Sequence, residues 1–189
     1  MYSTQEISLM SQKTIKIHDK EFAPFIKFEE IDKAVTKIAD RMNKDLHDKK
    51  PLFMAILNGS FMFASDLFHK ISFPCEITFV KLASYSGTKS TETVRQLIGI
   101  DEDVVGRNVV IVEDIIDSGL TMERVLTQLK MIGAADIKIA TLLFKPNAFK
   151  GDYAIDYIGL EIGNDFIVGY GLDYDKQGRN YKDIYKIID

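Results

Sequence analysis

Apolar residues follow two spacings along the first half of the chain. Between residues 28 and 50 they recur every three or four positions, which predicts an amphipathic helix that ends at Pro51. The next six residues, Leu52–Leu57, form a continuous apolar run of the kind found in strands buried on both faces. After a polar turn, the segment 61–71 is again predicted to be helical.

The same alternation continues to about residue 145. Strands are predicted at 77–83, 108–112 and 137–144, and a helix at 121–132 with Gly133 as its C-cap. The polar segment 84–96 is expected to be a mobile loop or a long hairpin tip. This order of strands and helices predicts an α/β fold, with a mostly parallel twisted sheet flanked by helices.

The pattern changes after Pro146. Short strands are predicted at 157–160 and 166–172, packed to one side of the main sheet, and residues 173–185 are expected to be loop-like. We therefore expect a single domain over residues 1–189. Its core would span about 28–145, and a small subdomain would combine N-terminal residues with about 146–189.

Charge and cysteine content exclude some classes of function. The 189 residues carry a net charge of −4, which argues against a nucleic-acid-binding surface. Cys75 is the only cysteine, so no intrachain disulfide can form and a reducing compartment is expected. The N-terminal residues lack a signal-peptide pattern, and no apolar run is long enough to span a membrane. These features predict a cytoplasmic protein with no membrane or nucleic-acid partner.

The segment 109–121 is the most informative part of the sequence. An apolar strand leads into Glu113 and Asp114, a third carboxylate follows at Asp117, and a turn containing Gly119 enters the next helix. Ligands of open α/β sheets bind at the carboxyl ends of the strands, and the N–H groups at a helix start attract anions. A phosphate over residues 117–121 with a sugar diol on the acids describes a ribose 5-phosphate. The alternative is that Asp117 merely caps the helix.

This segment closely resembles the motif that binds phosphoribosyl pyrophosphate (PRPP) in type I phosphoribosyltransferases. Its Glu-Asp-Ile-Ile-Asp-Ser-Gly form resembles the hypoxanthine–guanine branch of that family. The resemblance implies the type I phosphoribosyltransferase fold, whose small subdomain is called the hood. It also implies a set of residues that bind PRPP or the ribose phosphate: Glu113, Asp114, Asp117, Ser118, Gly119, Leu120 and Thr121.

Shorter matches lie outside the motif. The resemblance assigns pyrophosphate binding to Asn58, Gly59 and Arg179, and the opening of a lid to Ser84 and Tyr85. It assigns purine binding to Lys145, Phe166, Ile167 and Asp173, and Mg²⁺ binding to Glu113, Asp114 and Asp173. The chain departs from the family pattern in two places. Many relatives have a basic residue where Asn58 stands, and basic residues often follow the purine lysine, where this chain has residues 146–149.

The implied reaction joins hypoxanthine or guanine to PRPP through N9, giving IMP or GMP and pyrophosphate, with Asp117 as general base. The family usually forms homodimers or homotetramers. Three alternatives stay open. The first is a non-catalytic, PRPP-sensing regulator of the same fold, and the second is a receiver-like phosphoacceptor module, which would leave 118–121 and 166–173 unexplained. The third is a transferase that prefers xanthine or a pyrimidine.

Overall fold

A computed structural model describes residues 14–85, 94–98 and 103–188 of the chain; the side chains of 82–85 and 94–98 lie outside this description. Ten strands are present in that part of the chain: β1 (Ile15–Ile17), β2 (Lys20–Ile26), β3 (Leu52–Leu57), β4 (Glu76–Tyr85), β5 (Val94–Ile98), β6 (Asn108–Ile116), β7 (Asp136–Phe144), β8 (Tyr157–Glu161), β9 (Ile167–Val168) and β10 (Ile184–Ile188). Three helices accompany them: α1 (Phe28–Asp45), α2 (Phe61–Phe68) and α3 (Leu120–Ile132). None of these helices has the length and apolar character needed to cross a membrane.

A six-stranded sheet in the order β5-β4-β3-β6-β7-β8 forms the centre of the molecule. All neighbours in it are parallel except β4 and β5, which form an antiparallel hairpin. The predicted α/β fold with a mostly parallel sheet is therefore confirmed. The two ends of the polar segment 84–96 lie in these paired strands, whereas residues 86–93, on which the prediction of a mobile loop or a hairpin tip falls, lie outside the described residues.

Alternating side chains of the central strands build two hydrophobic layers. Phe53 and Ala55 of β3 face α1 and α2, whereas Met54 and Ile56 face α3 on the opposite side of the sheet. Helix α1 contributes its buried stripe to the first layer, as its apolar spacing predicted: Ile31, Ala34, Val35, Ile38, Ala39 and Met42. Because both faces of the sheet are covered, its strands are apolar at successive positions.

A second sheet, in the order β1-β2-β10-β9, is antiparallel and forms the hood. Its strand β2 was not predicted, because Pro24 interrupts a short apolar segment and proline disfavours strand interiors. The structure accommodates Pro24 beside a bulge, where Tyr185 pairs with Pro24 and Ile184 pairs with Ile26.

Two predictions for the C-terminal third were wrong. The strand predicted at 157–160 is β8, and it pairs in parallel with β7 at the edge of the central sheet rather than packing to one side. The predicted core of about 28–145 therefore omits one strand of that sheet. The strand predicted at 166–172 is only two residues long, because Gly169, Tyr170 and Gly171 have φ angles of 100°, 48° and 97°. These left-handed conformations turn the chain instead of extending it.

Candidate active site

A cavity of about 310 Å³ opens at the carboxyl ends of β3 and β6 beside the start of α3. The residues that line it come from three segments: Ile56, Leu57 and Gly59; Glu113, Ile115 and Ile116; and Asp117, Ser118, Gly119, Thr121 and Met122. The cavity thus lies where open α/β sheets bind ligands. It gathers six of the polar or glycine positions that the sequence motifs had indicated.

The turn between β6 and α3 presents the helix N-terminus to the cavity. Gly119 has a φ of 81° and directly precedes the first helical residue, Leu120. The left-handed conformation favours glycine here. The first N–H groups of a helix have no partner within the helix and carry a partial positive charge, so this turn is suited to an anion. Leu120 itself points outward, with 52% of its surface exposed.

Glu113 and Asp114 lie inside β6, not after it as predicted. The Oε2 atom of Glu113 is buried and has no hydrogen-bond partner within the described part of the chain. Burial, with the neighbouring charge of Asp114, raises the pKa of Glu113 well above its usual value. Burial also raises the pKa of Asp114 to about 6, although the N–H of Ile115 donates to this carboxylate at 2.9 Å. Two acids are therefore held in an environment that disfavours their charge unless a ligand compensates for it.

The turn after β3 lies directly against Asp114. A Cβ atom on Gly59 would overlap the Asp114 carboxylate, and one on Gly171 would overlap the carbonyl oxygen of Gly59. The peptide bond between Leu57 and Asn58 is cis, and the Asn58 residue is exposed. The absence of a side chain at Gly59 thus brings the backbone, the carboxylate and the hood segment into contact.

Asp117 and Lys145 form an ion pair at the neighbouring strand ends. The Lys145 ammonium donates to Asp117 Oδ2 at 2.9 Å, and its side chain is only 9% exposed, against 55% for Asp117. Lys145 follows β7, and its backbone N–H donates to the carbonyl of Ile116. The pair therefore places one donor and one acceptor side by side next to the phosphate-suited turn.

The hood supplies a second ion pair close to the acids. Arg179 contacts Asp173 at 2.5 Å and donates to the carbonyl of Gly171 at 2.6 Å. The charges of Arg179 and Asp173 both act on the pKa of Asp114, in opposite directions. Asp173 Oδ2 also accepts from the N–H of Lys176 at 2.7 Å.

The predicted base-binding residues of the hood lie in β9 or beside it. Phe166 is 46% exposed, and its ring meets those of Tyr174 and Phe22 at centroid distances of 5.8 and 6.3 Å. Ile167 is buried and pairs with Lys186 of β10. The backbones of Ser84 and Tyr85 end β4, but their side chains, and with them the predicted lid contacts, lie outside the described residues.

Sequence reasoning missed two groups of residues around this site. One consists of the apolar lining residues Ile56, Leu57, Ile115, Ile116 and Met122, whose alternation along strands and helix indicated only burial. The other consists of Phe149 and Tyr153, which pack against Gly119 from outside the cavity. Phe149 belongs to residues 146–149, which depart from the family pattern, and Tyr153 follows four residues later; no local signal connected either of them to the turn.

The three carboxylates predicted to hold Mg²⁺ do not assemble into a metal-binding cluster within residues 14–85, 94–98 and 103–188. Mg²⁺ commonly takes one or two carboxylates together with water and substrate phosphates, so a protein-only cage is not required. The buried, unpaired Oε2 of Glu113 is an oxygen ligand of the type this ion prefers. The site therefore fits an ion that arrives with its substrate.

Residues 27–175 match the family model described as the phosphoribosyl transferase domain. Among curated proteins, the hypoxanthine-guanine phosphoribosyltransferase of Bacillus subtilis strain 168 is 38% identical over 86% of this chain and 91% of its own length. The hypoxanthine phosphoribosyltransferase of Buchnera aphidicola subsp. Schizaphis graminum is 39% identical, over 84% and 92%. A crystal structure of a Bacillus anthracis hypoxanthine-guanine phosphoribosyltransferase aligns with a TM-score of 0.80 and 34% identity, covering 92% of this chain and all of that one. The chain belongs to the phosphoribosyltransferase family, in the hypoxanthine–guanine branch that its motifs indicated.

Proposed function

We propose that the protein is a purine salvage enzyme that transfers the 5-phosphoribosyl group from PRPP to N9 of hypoxanthine or guanine. The observation that carries the proposal is the Asp117–Lys145 pair at 2.9 Å beside the turn at Gly119. A 6-oxopurine presents N7 and O6 as neighbouring atoms, and the paired acceptor and donor match them. Adenine would present an amino group to the Lys145 ammonium instead.

The phosphate and ribose would occupy the motif itself. The backbone N–H groups of 118–121 and the hydroxyls of Ser118 and Thr121 would bind the 5′-phosphate at the start of α3. Glu113 and Asp114 would accept hydrogen bonds from the 2′- and 3′-hydroxyls. Such bonds would relieve the buried, unpaired Oε2 of Glu113.

The reaction would follow from this arrangement. The C1–O bond to pyrophosphate breaks, N9 of the purine forms a bond to C1, and Asp117 takes the proton from N7. The carboxylates of β6 would favour the positive charge that develops on the ribose, since fixed charges act strongly in a site with little water. Lys145 would donate to O6, Phe166 would stack on the purine ring, and the Ile167 backbone would bind the base edge.

The leaving pyrophosphate would be bound by the Leu57–Gly59 turn and by Arg179. Glu113, Asp114 and Asp173 are the carboxylates that would hold Mg²⁺, directly or through water, and a bound ion would neutralise charge on the leaving group. A cytoplasmic location and assembly into a homodimer or homotetramer remain predictions from the sequence.

A base-by-base assay tests the proposal. Purified protein would be given PRPP and Mg²⁺ with hypoxanthine, guanine, xanthine, adenine or uracil in turn. Rapid formation of IMP or GMP, with adenine and uracil inert, is the expected result and also ranks the oxopurines. Binding of PRPP with no nucleotide formed from any base would overturn the enzyme assignment and favour a PRPP-sensing regulator.

A further inference from the structure

Two aromatic residues pack against the outer side of the turn that precedes α3. A Cβ atom on Gly119 would come within 2.5 Å of the Phe149 ring and 2.7 Å of the Tyr153 hydroxyl. The two rings meet edge to face at a centroid distance of 5.2 Å. Gly151 lacks a side chain where the same rings approach, since its Cβ would lie 2.7 Å from Phe149. The turn and the 149–153 segment therefore fit closely together.

The carbonyl groups of Ser118 and Gly119 both accept hydrogen bonds from this segment. The Tyr153 hydroxyl donates to the Gly119 carbonyl at 2.8 Å, and the Lys150 N–H donates to the Ser118 carbonyl at 3.0 Å. The Gly119 carbonyl also accepts the N–H of Glu123 at 3.1 Å, inside α3. The outer side of the turn is thus occupied by carbonyl oxygens and their donors.

The direction of these carbonyls determines the direction of the N–H groups. In a planar trans peptide, the carbonyl of one residue and the N–H of the next point to opposite sides. With the carbonyls of 118 and 119 directed at the 149–153 segment, the N–H groups of 119 and 120 point away from it. Ser118 and Gly119 line the cavity whereas Phe149 and Tyr153 do not, so the side of the turn opposite the 149–153 segment is the one that meets the cavity.

We propose that Tyr153 is a positioning residue for the phosphate of the substrate. Its hydroxyl holds the Gly119 carbonyl away from the cavity and so keeps the anion-binding N–H groups aligned before the ligand arrives. The Glu123 N–H already holds the same carbonyl within α3, and the Tyr153 bond adds a second restraint. Without that restraint the peptide would fluctuate more and would turn its carbonyl oxygen toward the phosphate part of the time, which would repel an anion. The inference rests on the proposed function, because it supposes that a phosphate binds at 118–121.

The hydroxyl is suited to this role over the physiological pH range. Burial raises the pKa of Tyr153 to about 12, and the charges of Glu123 and Glu113 act in the same direction. The phenol therefore stays protonated and remains a hydrogen-bond donor. The Phe149 ring contacts the rings of both Tyr153 and Phe144, with a centroid distance of 5.2 Å in each case. This packing leaves the Tyr153 phenol little freedom to turn away.

Tyr153→Phe tests the role, because it removes the hydroxyl and keeps the ring. The dissociation constant of IMP would be compared with that of inosine, which lacks only the phosphate, and the KM for PRPP with the KM for hypoxanthine. We expect IMP binding to weaken about three- to tenfold and the KM for PRPP to rise by a similar factor. The values for inosine and hypoxanthine should stay within about twofold of wild type, because the lost bond acts on the phosphate alone.

Tyr157→Phe is the matched control. It also removes one tyrosine hydroxyl, which donates to Asp45 at 3.2 Å on the opposite face of the sheet. This variant should unfold at a lower temperature and keep the wild-type difference between IMP and inosine. An unchanged IMP-to-inosine ratio in Tyr153→Phe would overturn the inference, as would equal weakening of both ligands. Wild-type protein that binds IMP no better than inosine would contradict the proposed function itself.

Discussion

Asp117 and Lys145 differ greatly in exposure although they share one ion pair. Lys145 is buried among the ends of β6 and β7, whereas more than half of the Asp117 side chain is open to solvent. Removing the Asp117 charge should cost some stability, because it takes the counter-charge from a buried ammonium, but a substitution that keeps an oxygen acceptor avoids leaving that ammonium unpaired. Its effect on chemistry should be much larger, since a base must hold its proton-accepting oxygen at N7.

We expect Asp117→Asn to lower kcat by a factor of about 10²–10⁴ while the protein stays folded. The amide oxygen can still accept from Lys145, so the local geometry is kept, but the amide cannot take a proton. The measurement is the rate of IMP formation at saturating PRPP and hypoxanthine. Asp40→Asn, a change at an exposed position of α1, is the control and should turn over like wild type.

Asp114 shows the opposite relation between stability and function. Burial raises its pKa from 3.8 to about 6, a change of about two units, which corresponds to about 3 kcal/mol of folding free energy lost when the group ionises. The folded state binds the proton more tightly than the unfolded state, so wild-type stability falls as pH rises from about 4 to 6. Above pH 6 the loss is complete.

We therefore expect Asp114→Asn to raise the free energy of unfolding at pH 8 by about 1–3 kcal/mol and to lose most activity. The gain should shrink toward pH 5, because wild-type Asp114 is then largely protonated. Urea unfolding without Mg²⁺ or substrates would measure both values. Glu76→Gln provides a contrast. The hydrogen bond that Arg107 donates to Glu76 lowers the pKa of Glu76, so removing the Glu76 charge should destabilise the protein at pH 8. A destabilised Asp114→Asn would contradict the argument.

At the scale of elements, regular apolar spacing predicted the positions of helices and strands well, whereas turn residues predicted their ends less well. The helix at 28–50 and the strand Leu52–Leu57 were found within a few residues of their predicted positions, because each buries a continuous set of side chains. The strand after residue 108 was predicted to end at 112 but continues to Ile116, since pairing with β7 carries polar residues into the ladder. Partners distant in sequence decide such boundaries, and a local pattern does not contain them.

The turn between β3 and α2 is expected to tolerate no side chain at Gly59. Its Cβ would overlap the Asp114 carboxylate, which is itself fixed by the N–H of Ile115. Gly59→Ala should lower the free energy of unfolding by about 1–3 kcal/mol and abolish detectable turnover, because the carboxylate must move. Gly163→Ala is the control: its Cβ would meet only Asp165, at 3.3 Å. Thermal unfolding and the IMP assay, run on both variants, would separate a general effect of alanine from this one.

At the scale of the whole molecule, the site depends on contacts between the hood and the central sheet. The contiguous motif at 113–121 was recognisable in sequence because one turn carries it. Two other contacts could not be recognised in the sequence: the close approach of Gly171 to Gly59, and the hydrogen bond from Tyr170 to Asp66 at 2.6 Å. Each of them joins segments that are more than a hundred residues apart. The pairing of Asp173 with Arg179 lies within the hood, and long contacts of this kind help to hold it close to Asp114.

Asp183 is the carboxylate that fastens β10 to the start of α1. It accepts from the Phe28 N–H at 2.9 Å and from the Lys27 ammonium at 3.0 Å, and α1 has no side-chain cap from its own N-cap residue. Burial alone would raise the pKa of Asp183, but these two bonds outweigh it and lower the pKa. The stabilisation is therefore present at neutral pH and lost as the carboxylate becomes protonated in acid.

The two bonds can be separated by substitution at Asp183. We expect Asp183→Ala to lower the free energy of unfolding at pH 7 by about 1–2 kcal/mol, the usual cost of losing a helix cap. Asp183→Asn should lose less, because its amide oxygen can still accept from the Phe28 N–H while the ion pair with Lys27 is gone. Asp48→Ala, which removes a carboxylate that is 94% exposed, should change little. Urea unfolding measures the free energy of unfolding of each variant. The alanine and asparagine variants both lack the charge, and only the asparagine variant keeps an oxygen that can accept from the Phe28 N–H. Equal losses in the two variants would therefore assign the stabilisation to the charge of Asp183 rather than to the helix cap.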